Sequence, residues 1–354
     1  MERSHAAEGT QIESDIVILY TQFSISIKSK IESRCNMFGL EVIEKIGSSH
    51  NVAVLPHISL DGDGLGSSLA LVLYLKNKGI QAEILLEEII PTKFNFLPGL
   101  RNVKIFSSDE KKKYDMVIAL DSGDIERVGT RSVLFDNAEV TVNIDHHITN
   151  KGFAQYNYIQ ADASSTGELI YLLLKEASAN ITQDIAVCLY AAIISDTGGL
   201  KYNNTSKLTC EIIGELIETG IDFSNIYSRL LESTTLQKIK ITGIAAEKIN
   251  IISEKIAMIV FTKDDVKSVY AKDDDYEGIV NIARNLEGIE VCVLLREKEN
   301  NEIKANIRSI DYVDVAKIAS VFEGGGHKRA AGFTVFGNLE EVENRLIQAI
   351  CKEL

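Results

Sequence analysis

The chain has 354 residues, 45% of them hydrophobic and 25% charged, and a formal net charge of −14. That is room for two domains of ordinary size, with the composition of a soluble globular protein. The acidic balance argues against a general duplex-DNA binder, which carries a basic surface, yet it is compatible with an anionic substrate held through metal ions.

Residues 1–36 read as an N-terminal extension of unknown role, with Met37 as an alternative start. Within it, "IVILYTQFSISI" (16–27) is the most apolar run, but Thr21, Gln22, Ser24 and Ser26 interrupt it and acidic residues precede it. A membrane span needs roughly 18 apolar residues and a secretory signal a basic start, so neither is expected. The five cysteines are scattered and form no CxxC pair. That fits a reducing cytoplasm rather than a disulfide frame or a zinc ribbon.

From residue 37 the pattern alternates between helix and strand. "FGLEVIEKI" predicts an opening helix, "NVAVLP" (51–56) a strand, and "SSLALVLYLKNKG" (67–79) a helix capped by Gly79. "AEILLE" (82–87), "MVIALD" (116–121) and "VTVNID" (140–145) follow as short apolar strands. Such strands separated by helices predict an α/β fold with a mostly parallel sheet covered on both faces. Three helices come next, over 166–178, 184–195 and 207–220, and then a helical connector over 222–250. The remainder reads as a smaller α/β domain. Its strand "KIAMIVFT" precedes a helix near 276–286 and the paired strands "EVCVLLRE" and "EIKANIRSI". A helix at 313–321, a glycine cluster, the strand "GFTVF" and a closing helix at 339–352 complete it.

The chemistry-bearing residues fall at the carboxyl ends of strands, where open α/β sheets bind ligands. "HISLDGDGLGSS" carries His57, Asp61 and Asp63 straight after the first strand. Two residues apart in an extended segment, Asp61 and Asp63 point to one side, and Gly62, Gly64 and Gly66 let the backbone turn beneath them. The N–H groups near Ser67 and Ser68, at the start of the next helix, offer a place for a phosphate oxygen. Asp121 ends the third strand, Asp145, His146 and His147 the next, and Asp196 an apolar helix before Gly198 and Gly199.

Singly, each of these has a plainer reading: solvated aspartates in a turn, a structural histidine, a helix-ending turn. Together they bring four aspartates and up to three histidines from four segments, with Asp145 behind them. That is too many ligands for one ion, and the absence of thiolate suits Mn²⁺. Two ions about 3.5–4 Å apart would activate a bridging hydroxide for attack at phosphorus.

The stretches "HISLDGDGLGS", "ALDSGD", "NIDHH" and "SDTGGLKY" resemble the four ordered motifs of the DHH phosphoesterases. "ANIRSI" followed by "EGGGHKRAAGF" resembles the C-terminal domain associated with them. The family often has proline before the first-motif aspartate, where this chain has Leu60, but the ligand spacing is intact. The resemblance implies a catalytic domain over 37–221, a linker over 222–250 and a substrate-binding domain over 251–354, with the active site in the cleft between the domains. It also implies two Mn²⁺ ions, with Mg²⁺ or Co²⁺ as substitutes. One would be held by His57, Asp61 and Asp121, the other by Asp63, Asp121, His146 and Asp196, with Asp121 bridging. Of the catalytic group Asp121, Asp145 and His147, Asp145 would orient a ligand histidine and His147 would face the scissile phosphate.

Arg308, Gly325, Gly326, His327 and Arg329 would bind the nucleotide or phosphate end of the substrate. The residues agree on their own terms. Lys304, Asn306 and Arg308 alternate with Ile303, Ala305 and Ile307, giving one polar strand face, and a glycine-rich loop beside cationic donors suits phosphate.

Within the superfamily, family II inorganic pyrophosphatases have a different C-terminal domain. RecJ-type exonucleases are longer and add an oligonucleotide-binding barrel, and membrane-bound cyclic-dinucleotide phosphodiesterases carry transmembrane segments. The compact two-domain form resembles nanoRNases of the NrnA type. The expected activity is hydrolysis of very short single-stranded oligoribonucleotides and pApA, with 3′-phosphoadenosine 5′-phosphate as a further substrate and cyclic di-AMP hydrolysis as the alternative. No duplex DNA or membrane partner is expected, the location is cytoplasmic, and self-association would give a homodimer. A non-catalytic nucleotide sensor would have lost metal ligands, whereas His57, Asp61, Asp63, Asp121, His146 and Asp196 are all present.

Overall fold

A computed structural model of the chain describes residues 37–108 and 112–354, so the N-terminal extension over 1–36 lies outside the described residues. The chain divides into two compact units between Ser233 and Thr234.

The first unit is built on six parallel strands: β1 (Asn51–Pro56), β2 (Gln81–Leu86), β3 (Val103–Ile105), β4 (Met116–Leu120), β5 (Val140–Asp145) and β6 (Tyr156–Ile159). Their order is β3-β2-β1-β4-β5-β6. Strands β3 and β6 escape the sequence pattern because they are short and partly polar, so the strand leading into Asp121 is the fourth, not the third. From β1 the sheet grows one way through β2 and β3 and the other way from β4. The carboxyl ends of β1 and β4 therefore flank the point where strand order reverses, which is where such sheets open a crevice.

Five helices accompany the sheet: α1 (Met37–Gly47), α2 (Gly62–Asn77), α3 (Thr166–Glu176), α4 (Gln183–Asp196) and α5 (Lys207–Glu218). Leu65, Leu69, Leu172 and Ile193 from these helices are fully buried with Val52, Val54 and Ile118 of the sheet. The opposite sheet face, with Ala53, Leu55, Val117 and Ala119, is covered by Val128 and its neighbours. That covering layer consists of 3₁₀ turns over Ile125–Asn137, interrupted at Gly129 (φ 69°).

Helix α2 begins at Gly62, five residues earlier than its apolar spacing predicts, which corrects three expectations. Asp61 is the N-cap and Asp63 lies in the first turn, so the two are not on an extended segment. Ser67 and Ser68 are inside the helix and fully buried, and their hydroxyls donate to Asp63 O and Gly64 O at 2.6 Å. No phosphate cradle exists there. Gly62 and Gly66 serve close helix packing rather than a turn: a Cβ on Gly66 would come within 2.5 Å of Cys188 O in α4.

The stretch 222–250 is shared between the units. Helix α6 (Phe223–Tyr227) and a π turn at Ser228–Glu232 belong to the first unit, where Ile226 is buried. Helix α7 (Leu236–Glu247) places Ile241 and Ala245 in a core of the second.

The second unit has a mixed sheet of β7 (Ile249–Ser253), β8 (Ile256–Phe261), β9 (Val291–Glu297), β10 (Glu302–Ser309), β11 (Gly325–His327) and β12 (Ala330–Phe336). Its order is β11-β12-β10-β9-β8-β7, antiparallel except for β8 with β9. Helix α7 with the short α8 (Lys263–Val269) and α9 (Val280–Arg284) packs one face, and α10 (Val315–Ser320) with α11 (Leu339–Glu353) the other. The glycine cluster is not a loop throughout, because Gly325–His327 pairs as an edge strand with β12. Among the described residues no helix is long and apolar enough to cross a membrane.

The close α2–α4 contact carries a prediction. Gly66→Ala is expected to lower stability by about 1–3 kcal/mol through overpacking. Gly214→Ala in α5, where a Cβ would meet nothing within 4 Å, is expected to leave stability unchanged or raise it. Urea or thermal denaturation of both variants checks the contrast.

Candidate metal centre

The carboxyl ends of β1, β4 and β5 meet the N-terminus of α2 and the C-terminus of α4. His57 follows β1, Asp121 follows β4, and Asp145 ends β5 with His146 and His147 just beyond. Asp61 caps α2, Asp63 sits in its first turn, and Asp196 closes α4. Three groups form, each with ligand-type atoms within 4.8 Å of one another: His57–Asp61–Asp121, Asp121–His146–His147 and Asp63–His146–Asp196. Every metal-ligand candidate read from the sequence is thus brought to one place.

Asp121 is shared between two of these groups and faces both sides. Its Oδ2 lies 3.4 Å from His57 Nε2, and its Oδ1 lies 3.6 Å from His146 Nε2. His57 Nε2 is also 3.4 Å from Asp61 Oδ2, and His146 Nε2 is 3.8 Å from Asp63 Oδ2 and 3.7 Å from Asp196 Oδ2. Asp121 takes a left-handed backbone (φ 57°) while its N–H still donates to Ile144 O at 3.0 Å. A non-glycine residue held this way stores local strain, a feature that clusters at functional sites.

The electrostatics are those of crowded like charges. Burial first, then the charges of Asp121, Asp196 and Asp61, push the Asp63 carboxyl well above the usual range. Burial likewise pushes Asp196 up to about 6, with His146 pulling it down and Asp121 and Asp61 adding to the rise. Burial alone would lower the His57 imidazole, but hydrogen bonds and charges from Asp121 and Asp61 outweigh it and hold the group up to about 10. Such a field favours any cation placed within it.

The space suits one as well. A Cβ on Gly64 would stand 3.4 Å from His57 Nε2 and 3.5 Å from Asp121 Oδ2, so glycine keeps the ground between those atoms clear. The donors are carboxylate oxygens and imidazole nitrogens, a set that fits a divalent cation such as Mn²⁺. Asp63 and Asp121 are buried, whereas Asp61 and His147 are exposed at 54% and 41% of their side chains, so the cluster opens on their side.

The fully buried Asp145 accepts from His147 Nδ1 and from Asn150 Nδ2, both at 2.7 Å. The histidine that Asp145 orients is therefore His147. Residues 145 and 147 are two apart in extended chain and share a side, which His146 does not. That hydrogen bond is the main cause raising the His147 imidazole, against burial.

Five further residues at the site do not stand out in the sequence. Thr166 Oγ1 donates to Asp121 Oδ1 at 2.9 Å, and the backbone N–H groups of Thr166 and Gly167 donate to Asp63 Oδ2 and Oδ1 at 2.7 and 2.8 Å. Arg127 Nη2 lies 2.9 Å from His57 Nδ1, Asn204 Nδ2 donates to Asp196 Oδ2 at 3.2 Å, and Asn150 fixes Asp145 as above. One signal was legible: Ser165–Glu168 has the spacing of a helix-start capping box, and Ser165 Oγ does accept from the Glu168 N–H at 3.1 Å.

In the second unit, His327 of β11 and Arg308 of β10 both pair with Ala330 of β12, so they flank that small residue on one sheet face. Two residues along, Gly325 and Asn306 flank Gly332 in the same way. The other face, with Ile303, Ala305, Ile307, Ala331 and Phe333, is core. Gly326 has φ 143°, and a Cβ there would come within 2.5 Å of Ala330 O. Arg329 is partly committed to the fold, its Nη1 donating to Val313 O at 2.9 Å.

Comparison with known proteins agrees with both units. A profile of the DHH family N-terminal domain matches residues 51–193, and one of the DHHA1 domain matches residues 266–354. The chain is similar to the bifunctional oligoribonuclease and PAP phosphatase NrnA of Thermus thermophilus, 27% identical over 307 residues that cover 86% of this chain and 90% of the relative. It is similarly related to the protein of the same name from Bacillus subtilis, 26% identical over 318 residues, covering 88% and 98%. A solved exopolyphosphatase-related protein from Bacteroides fragilis matches with a TM-score of 0.82 and 25% identity, over 89% of this chain and 96% of that one. The chain carries a DHH-family N-terminal domain followed by a DHHA1 domain and is a phosphoester hydrolase.

Proposed function

We propose that the chain is a cytoplasmic, Mn²⁺-dependent phosphodiesterase acting on very short single-stranded oligoribonucleotides such as pApA, with 3′-phosphoadenosine 5′-phosphate as a second substrate. The observation that carries this reading is the two-sided Asp121, with one oxygen toward His57 and the other toward His146. His57, Asp61 and Asp121 would hold one cation, and Asp63, Asp121, His146 and Asp196 a second. When bound, a pair of divalent cations lowers the pKa of a water and offsets the charge that develops at phosphorus during in-line displacement.

The chain's own groups do the positioning. Asp145 accepts the Nδ1 proton of His147, which leaves Nε2 as the free ring nitrogen. The same contact favours the protonated ring, so Nε2–H can donate to a substrate phosphate oxygen. His147 is the more exposed of the paired histidines, as a substrate-facing group must be. The nucleotide class follows from the names of the two relatives, together with the face of the second unit. There Arg308 and His327 stand on either side of a floor of Ala330 and Gly332, small enough to take a flat base or sugar, with cationic donors for its phosphate. Gly325 and Gly326 add close backbone approach, and the guanidinium nitrogens of Arg329 other than the one bonded to Val313 O complete the donor set.

Three outcomes are expected. Asp121→Ala abolishes hydrolysis and leaves the circular dichroism spectrum intact; retained Mn²⁺-dependent turnover would defeat the assignment. Arg308→Ala and His327→Ala each weaken nucleotide binding about tenfold or more, as seen by calorimetry, with Mn²⁺ binding unchanged. In a panel of pApA, short RNAs, cyclic di-AMP, phosphoadenosine phosphate and pyrophosphate with Mn²⁺, the linear oligoribonucleotides are cleaved fastest. Rapid pyrophosphate hydrolysis without nucleotide activity overturns the reading.

A further inference from the structure

The first turn of α3 reaches two site carboxylates that belong to different parts of the sheet edge. Its cap is local, with Ser165 Oγ accepting from Glu168 N. The next two N–H groups, of Thr166 and Gly167, are thereby left for Asp63, one to each of its oxygens. The Thr166 hydroxyl meanwhile donates to Asp121 Oδ1 at 2.9 Å. Thr166 is fully buried, and Asp63 and Asp121 are 1% and 2% exposed, so water does not substitute for any of these bonds.

The identity of the acceptor atom matters. Asp121 Oδ1 is the oxygen that faces His146, and Oδ2 the one that faces His57. A carboxylate with no donor on either oxygen turns about its last bond over a broad range. It would also be pushed by its like-charged neighbours Asp63 and Asp196. An ionised carboxylate only accepts, so a hydroxyl aimed at Oδ1 fixes which oxygen points to which histidine.

We infer that Thr166 is a positioning residue for phosphoester hydrolysis, its hydroxyl holding Asp121 in the orientation that lets one carboxylate serve both halves of the metal centre. The inference rests on the two-cation reading above. Thr166 acts through the carboxylates it bonds, Asp63 and Asp121, so its effect is read first on cation affinity.

The test titrates Mn²⁺ into metal-free full-length protein by calorimetry, with the melting temperature taken in the absence of metal. Wild type is compared with Thr166→Val, Thr166→Ala, Thr166→Ser and Asp121→Asn. Valine keeps the shape of threonine and removes only the donor, and serine restores the donor. Loss of an outer hydrogen-bond partner to a metal ligand commonly weakens affinity 10–100-fold, and that is the loss expected for the valine variant. Serine is expected to stay within a few-fold of wild type, with all folds intact.

If Thr166→Val binds Mn²⁺ as wild type does while Asp121→Asn loses it, the inference fails and the proposed function stands. If Asp121→Asn also binds as wild type, the two-cation reading itself fails. Should the valine variant not fold, alanine against serine makes the same comparison, and equal affinities overturn the inference.

Discussion

The repulsion among Asp61, Asp63, Asp121 and Asp196 is the constraint around which the first unit is organised. Two unit charges about 4 Å apart repel by roughly 4 kcal/mol at the effective dielectric of a partly solvated site. Asp63 and Asp121 are buried, so solvent relieves little of this. The fold answers with donors that do not titrate. Asp63 receives two backbone N–H groups at the start of α3, where the helix dipole also favours negative charge. Asp61 receives the N–H of Gly64 at the start of α2. His57 and His146 stand between the carboxylates, and the remaining field is what a divalent cation would satisfy.

Bringing Asp196 into this group depends on packing rather than on charge. It ends α4, which must lie close against α2 for its carboxylate to reach His146. Two small positions permit the approach. A side chain on Gly66 would meet the α4 backbone, and one on Gly167 would come 2.5 Å from Ala192 Cβ of the same helix. Gly62 and Gly66, which look in sequence like the hinge of a phosphate loop, are thus spacing elements between helices, and the geometry of the carboxylate and histidine cluster depends on that core. The second unit presents cationic side chains instead of carboxylates. In the proposed reading Arg308 and His327, around a floor without side-chain bulk, would receive a phosphate without a cation.

Strand-end carboxylates and histidines were legible because each follows an apolar run that can only be a buried strand or helix, and His57, Asp121, Asp145 and Asp196 fall where those runs stop. Long helices were legible for the same reason. What stayed hidden was whatever depends on a partner distant in sequence. Thr166 lies more than a hundred residues from Asp63, and nothing in "SSTGE" names the carboxylates it meets. Helix α2 began early because Gly62, Gly64 and Gly66 read locally as breakers. In place, the cap at Asp61 and the neighbouring helix outweigh glycine's poor helix propensity. Asp145 pairs with His147 rather than His146 through the two-residue alternation of extended chain, which the sequence does contain.

The same geometry divides the centre into a fixed side and an open side. Asp63 and Asp121 have hydrogen-bond donors from α3 on their oxygens and almost no exposure, so their remaining lone pairs point in set directions. Asp61 and His147 lie on the exposed side, the first held by a cap bond to its own helix and by His57, the second by Asp145. A centre built this way keeps its inner ligands in register whether or not substrate is present. Adjustment falls to the two groups that a phosphate oxygen would meet first. That asymmetry is why a single buried hydroxyl on the fixed side bears on how the inner carboxylates are oriented.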